Sequence, residues 1–196
     1  MVGALPPAPD DGQIQQLLDE HVRPGMTVAD IGAHAGGYVI QMAARAELVY
    51  AVEPNPDIYN MLVENTRGLE NVKVLRMAAL DRDGSVGLWL NDGNTGDTRV
   101  YGDGQPAHRV KCRRIAPFIT PLDFALLDCQ GTEHLALRGM GAKRPKVCVV
   151  EMWPEGLAAQ GTNEERVLAE YRRMRYEVTD LERPVAGYWN LLLRKS

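Results

Sequence analysis

Hydrophobic positions along this chain change period repeatedly, and the changes mark alternating helices and strands. Ile14, Leu17, Leu18 and Val22 recur at helical spacing over residues 14–22, and Arg23-Pro24-Gly25 closes that segment. Residues 26–31 form a short apolar run, which predicts a strand buried on both faces. Residues 38–46 are small enough for a helix packed closely on a sheet, and 48–52 is a second apolar strand. Residues 57–67 predict a helix with Ile58, Met61, Leu62 and Asn65 on one face, and 72–78 a third strand. This β-α-β-α-β order predicts parallel strands joined by right-handed crossovers.

The middle departs from that pattern. Residues 85–90 and 108–113 alternate as half-buried strands do, and they flank a long Gly/Asp/Asn-rich loop at Asn91–Gly104, expected to act as a lid or substrate gate. Pro117 and Pro121 lead into an apolar strand at 124–129. Thr132 is placed to cap a helix at 133–141, a strand follows at 146–150, and Thr162 or Asn163 caps a helix at 164–174. Strands at 176–181 and 188–193 are joined by a connection too short for a helical crossover, so they should be antiparallel neighbours. The expected fold class is α/β, a mostly parallel sheet ending in a C-terminal antiparallel hairpin, with an extra β insertion after the third strand. Residues 1–12, rich in Pro, Ala and Asp, read as a mobile lead-in to one domain at 13–196.

Composition narrows the function classes. The chain has 196 residues, 45% of them hydrophobic, and a formal net charge of −4, a balance suited to a globular domain with a sizeable core. Mild acidity argues against nucleic acid as the principal partner, since phosphate binding needs a basic face. Local clusters such as Arg109, Lys111, Arg113 and Arg114 read as solvated faces. Cys112, Cys129 and Cys148 form no C-x-x-C and read as buried thiols of a reducing compartment. No basic-then-apolar leader and no bilayer-length apolar run are present, so the expected location is cytoplasmic, with no membrane partner.

Candidate chemistry gathers at the predicted strand ends. The stretch V-A-D-I-G-A-H-A-G-G-Y at 28–38 reads as strand, glycine turn and helix N-terminus, where backbone N–H groups face a ligand. Asp30, Glu53, Asp128 and Glu151 sit at four strand ends, the edge where open α/β sheets bind ligands. Glu53, ending the second strand, is placed to accept hydrogen bonds from the ribose hydroxyls of an adenosine cofactor. Nicotinamide cofactors and S-adenosylmethionine both present such a ribose. The turn separates them: Asp30, two residues ahead of Gly32, would oppose a pyrophosphate but suits a cofactor carrying an ammonium and a sulfonium. S-adenosylmethionine is therefore the expected cofactor.

At these positions the chain resembles the FkbM-type S-adenosylmethionine-dependent methyltransferases. The resemblance runs from about Thr27 to Pro154 and is carried by D-I-G-A-H-A-G-G-Y at 30–38, A-V-E-P-N-P at 51–56 and M-A-A-L at 77–80. It continues through L-L-D-C-Q-G-T-E-H-L-A-L-R-G at 126–139 and V-V-E-M-W-P at 149–154. It implies a Rossmann-like, seven-stranded class I methyltransferase fold and methyl transfer, usually to a hydroxyl of a sugar or natural product. Implied cofactor contacts are Asp30, Gly32, Ala33, His34, Gly36 and Tyr38 in the turn, Glu53, Pro54 and Asn55 at the ribose, Ala78 and Ala79 at the adenine, and Asp128. Three positions depart from the family pattern: Met77 where Asn is usual, Gln130 where Glu is common, and Trp153 where His is common.

Methyl transfer to a hydroxyl needs an aligned acceptor and a base. Asp128, Glu133 and Glu151 are the candidates, Asp128 first because it ends the strand beside the cofactor strand. His134 is a weaker one, a helix histidine more often being a surface residue. The same three acids could offer oxygens to Mg²⁺, although nothing in their spacing demands it. Trp153, Tyr101 and Trp89 either line a small-molecule acceptor pocket or pack on sheet faces. Two other readings stay open: a cofactor-binding interaction module without catalysis, suggested by Gln130 and Trp153, and a nicotinamide-dependent oxidoreductase. Oligomeric state is not legible.

Overall fold

The computed structural model describes residues 11–91, 94–181 and 187–196. Helix α1 (Asp11–His21) leads into β1 (Thr27–Ile31), α2 (Gly37–Ala43), β2 (Leu48–Val52), α3 (Pro56–Asn65) and β3 (Val72–Leu75). An insertion follows: β4 (Ala78–Ala79), β5 (Gly84–Asn91), β6 (Asn94–Arg99) and β7 (His108–Arg113). The chain then returns through β8 (Phe124–Leu127), α4 (Glu133–Met140), β9 (Val147–Met152), α5 (Pro154–Ala159), α6 (Glu164–Arg173), β10 (Tyr176–Asp180) and β11 (Trp189–Lys195).

The main sheet has seven strands in the order β10-β11-β9-β8-β1-β2-β3. Strands β3, β2, β1, β8 and β9 run parallel, and β11 and β10 turn antiparallel at the far edge. Apolar runs form the parallel strands because both faces are covered. Val28, Val49, Leu126 and Val149 pack with Leu18, Val39 and Leu62 of the first three helices. Ile31, Val52, Leu127 and Val150 face the other way, against Leu137 of α4 and Val167 and Tyr171 of α6. Side-chain alternation thereby puts Asp30, Glu53, Asp128 and Glu151 on the α1–α3 face, at the carboxyl ends of their strands. Truncating a fully buried leucine such as Leu127 or Leu137 would cost about 2–5 kcal/mol.

Five details differ from the sequence expectations. The strand expected at 72–78 is two: β3 ends at Leu75, whose carbonyl accepts from Glu53 N at 3.1 Å, and β4 joins the second sheet. The loop expected at 91–104 contains β6, whose N-T-G-D-T-R sequence shows no alternation and is held by pairing to β5, with Trp89 opposite Arg99. Strand β9 runs on to Met152 because β11 pairs along its whole length. Helix α5 was not anticipated, and Asp11 and Gly12, assigned to the lead-in, open α1. Residues 1–10, and 182–186 in the final connection, lie outside the described residues.

The second sheet, β4-β7-β5-β6, buries Ala78, Leu80 and Cys112 against Leu135 of α4. Gly139 permits that approach, because a Cβ there would lie 2.0 Å from the Leu80 carbonyl oxygen. The insertion is thus fixed beside the carboxyl edge of the main sheet.

Candidate active site at the carboxyl edge

Strands β1 and β8 are neighbours whose helices depart to opposite faces, α2 to one and α4 to the other. This is the switch point at which open α/β sheets hold ligands. The turn after β1 is held in left-handed conformations, with φ of 91° at Gly32, 47° at His34 and 93° at Gly36. Gly32 is required twice over, by its φ and by a contact in which a Cβ would lie 1.8 Å from the Asp128 carbonyl oxygen. Gly32 N and Ala33 N each donate to the Val52 carbonyl at 2.9 Å, tying the turn to β2. Glu53 completes the tie: one carboxylate oxygen accepts from His34 N at 3.0 Å and the other from Asn55 N at 2.8 Å. The Asn55 side chain caps α3 through Asp57 N, and Asn65 Nδ2 donates to the Ala35 carbonyl. Tyr38 and Pro54 are half-buried at the borders of this cradle.

Charge in the cradle is unbalanced. Asp30 is buried, and its Oδ2 has no partner among the described residues. Burial, then the carboxylates of Asp128 and Glu53, push its carboxyl up to about 8. Glu53 is pushed up to about 7 by burial, against the lowering effect of the Asn55 and His34 amides. Each Glu53 oxygen retains capacity to accept another hydrogen bond. A site with an orphaned buried carboxylate oxygen and two further acids calls for cationic groups and hydroxyl donors, and would repel a pyrophosphate. The residues present therefore fit S-adenosylmethionine, with its ammonium, sulfonium and ribose.

The other acids close the cradle from β8 and β9. After Asp128 the chain turns through Gln130, φ 53°, and Gly131, φ 95°, around the Glu133 carboxylate. One Glu133 oxygen accepts from Cys129 N at 2.7 Å and from Gly131 N at 3.0 Å, so this side chain organises the loop as well as lining the site. Burial raises its proton affinity above that of an ordinary glutamate. Gln130 Nε2 donates to Asp128 Oδ1 at 2.7 Å. Oxygens of Asp128, Glu133 and Glu151 lie within 4.8 Å of one another, a set that could serve a hard divalent cation.

The fold also places the other residues singled out in the sequence. His134 is buried rather than on the surface; its electrostatic neighbours are Glu170, Arg138 and Asp81, and burial lowers its proton affinity. Trp89 packs on its own sheet, its ring against Gly87 and Gly102 and its Nε1 donating to the Asp103 carbonyl. Ala78 and Ala79 are buried in β4, paired with Cys112 and Arg113. Other groups at the site carried no motif. Arg99 lies 4.4 Å over the Trp153 ring and is held by Asp97, while Gln160 Nε2 donates to the Gly131 carbonyl at 2.7 Å. Asp97 and Arg99 lay in a segment read as loop, so no periodicity could reveal them.

Solved structures share this architecture. SMU.1697c of Streptococcus mutans, described as a methyltransferase and solved in complex with SAH, superposes with a TM-score of 0.63 at 10% identity, covering 98% of this chain and 100% of that one. An rRNA methylase from Streptococcus thermophilus gives 0.60 at 12% identity over 98% and 99% of the two chains. Methyltransferase FkbM from Methylobacillus flagellatus KT gives 0.57 at 16% identity, over 91% of this chain and 50% of that one. No curated protein sequence matches the chain. Among the described residues no helix is long and apolar enough to cross a membrane. The sequence model of the Methyltransferase FkbM domain matches residues 30–178, which takes in every carboxylate of the cradle. On that match, the chain belongs to the FkbM family of methyltransferases.

Proposed function

We propose that the protein transfers a methyl group from S-adenosylmethionine to a hydroxyl oxygen of a small, sugar-like or natural-product-like acceptor. The observation that carries this reading is the meeting, on one sheet edge, of the Glu53-tied glycine turn with the Asp128, Glu133 and Glu151 carboxylates. Asp30, Gly32, Ala33, His34, Gly36, Tyr38, Glu53, Pro54 and Asn55 form the cofactor cradle, and β4, with the buried Ala78 and Ala79, is the element we assign to the adenine side. S-adenosylmethionine supplies an activated methyl on a sulfonium sulfur. The chain's own residues align the acceptor hydroxyl and take its proton. Asp128 is the base, since it is exposed at the cradle mouth while one Glu133 oxygen is engaged by two backbone amides. Anionic acceptors are disfavoured by three neighbouring carboxylates.

One observation favours a second reading. The Gln130 amide already donates to Asp128, as it would in a protein that binds the cofactor without using this base. Calorimetry with S-adenosylhomocysteine and NAD, followed by a labelled-methyl screen of hydroxylated acceptors, decides between them. The enzyme reading expects S-adenosylhomocysteine to bind, NAD not to bind, and label to reach an acceptor. With an acceptor in hand, Asp128→Asn should lower kcat about a hundredfold or more with cofactor affinity retained. Full turnover by that variant would remove Asp128 from the role of base.

A further inference from the structure

We infer that Tyr101, in the insertion and outside every motif of the site, is a positioning residue that locks the acid loop and makes the insertion sheet the fixed acceptor-side wall. The inference rests on the methyltransferase reading of the cradle. The phenol Oη donates to the Gln130 carbonyl at 2.8 Å, at the residue whose left-handed backbone and side-chain bond to Asp128 shape the loop. The fit around that oxygen is close. A Cβ on Gly131 would lie 3.2 Å from it, and one on Gly156 2.8 Å, so two backbone segments approach the phenol only because they lack side chains.

Two further contacts fasten the same wall. Arg99 is oriented by Asp97, which also accepts from Asn91 Nδ2 at 2.9 Å, and its guanidinium covers the Trp153 ring just after β9. Gln160 grips the Gly131 carbonyl from α5. The segments that follow β8 and β9, next to Asp128, Glu133 and Glu151, are therefore tied to β6 and its tail at two points. Glu133 and Glu151 also lie within electrostatic reach of the phenol, whose proton is held by burial and by those acids. Part of the segment expected to act as a lid or substrate gate is the strand β6, and Tyr101 ties its tail to the acid loop.

The test uses the full chain and Tyr101→Phe, which deletes one oxygen, with Gly156→Ala, whose Cβ would press on the Trp153 ring as well as the phenol, as a second way to disturb the same wall. Amide hydrogen exchange at Cys129 and Gly131 should speed about five- to tenfold in both variants, with β1 and β2 amides unchanged, the scale of one lost hydrogen bond. In turnover with the acceptor identified above, Tyr101→Phe should raise the acceptor KM or lower kcat severalfold while the S-adenosylmethionine KM stays within twofold. A general loss of structure would move both substrates together. Unchanged exchange at Cys129 and Gly131 would overturn the anchoring role whether or not an acceptor has been found. Failure of the wild-type chain to bind S-adenosylhomocysteine would instead sink the methyltransferase reading beneath it.

Discussion

The two halves of the carboxyl edge are held in different ways. On the cofactor half, the turn after β1 is fixed by short-range backbone geometry and by one carboxylate, Glu53, gripping amides on either side of it. On the half we assign to the acceptor, the turn between Asp128 and Glu133 is secured by a phenol and a glutamine, and Trp153 after β9 is covered by a guanidinium, all from distant parts of the chain. The first arrangement tolerates almost no change in backbone, because its glycines are set by φ and by contact. The second is assembled from side chains that can be exchanged without touching the cofactor cradle. On the proposed reading, cofactor binding and acceptor choice can thereby be changed separately.

The harshest way to break that contrast is Gly32→Ala. Its Cβ would overlap the Asp128 carbonyl, where the two halves meet beside the hydrogen bond from Asp128 N to the Ile31 carbonyl, at a φ that alanine disfavours. We expect a loss of roughly 3–5 kcal/mol of stability and no detectable S-adenosylhomocysteine binding, read by denaturant unfolding and calorimetry. A variant that folds and binds normally would show that the turn is not the rigid member of the pair.

The same contrast explains what could be read in advance. The cradle was legible because its parts are local: Asp30 before Gly32, a strand, then Glu53 before a proline-started helix. Strands β1, β2, β8 and β9 were legible because burial on both faces leaves uninterrupted apolar runs. β6 was not, since N-T-G-D-T-R has no apolar face and is a strand only through its pairing with β5. β4 was hidden for a similar reason: two alanines continue the apolar run of β3, and only the partner strand β7 shows that the chain has changed sheets. Arg99 inherits that invisibility, and Tyr101, named from the sequence only as a pocket or packing residue, gave no sign of its bond to the Gln130 carbonyl. Their roles exist only in the folded chain, and the contiguous motifs that carry the family resemblance do not include them.

A milder effect tests the charge stored in the cofactor half. Asp30 and Glu53 have folded proton affinities raised by burial, so the native state holds more protons than the unfolded chain between the ordinary carboxyl range and about pH 8. Stability then falls as pH rises through that window, because the slope of unfolding free energy with pH follows unfolded minus native bound protons. The expected result is a Tm of the free chain that declines from pH 5 to pH 8 and a shallower decline in Asp30→Asn. Cofactor binding should have the opposite sign: near pH 7 a cationic ligand favours the ionised carboxylates, so protons are released and heats of binding depend on the buffer. Asp30→Asn should cut that proton release. An unchanged slope and unchanged release would place the titrating charge elsewhere.

The smallest effect sharpens the comparison most, because it asks whether the acceptor half can be loosened alone. Arg99→Ala removes the cation over Trp153 and frees Asp97, at a partly exposed site where such a contact is worth about 0.5–1 kcal/mol. For a domain of this size that corresponds to a Tm shift of roughly 2–4 °C at most. S-adenosylhomocysteine affinity should stay within twofold of wild type, since no atom of Arg99 is bonded to the turn or to Glu53. The indole of Trp153, relieved of its guanidinium cover, should become more accessible to a fluorescence quencher. If affinity instead fell in step with Tm, the wall and the cradle would be one cooperative unit, and acceptor recognition could not vary without cost to the cofactor site.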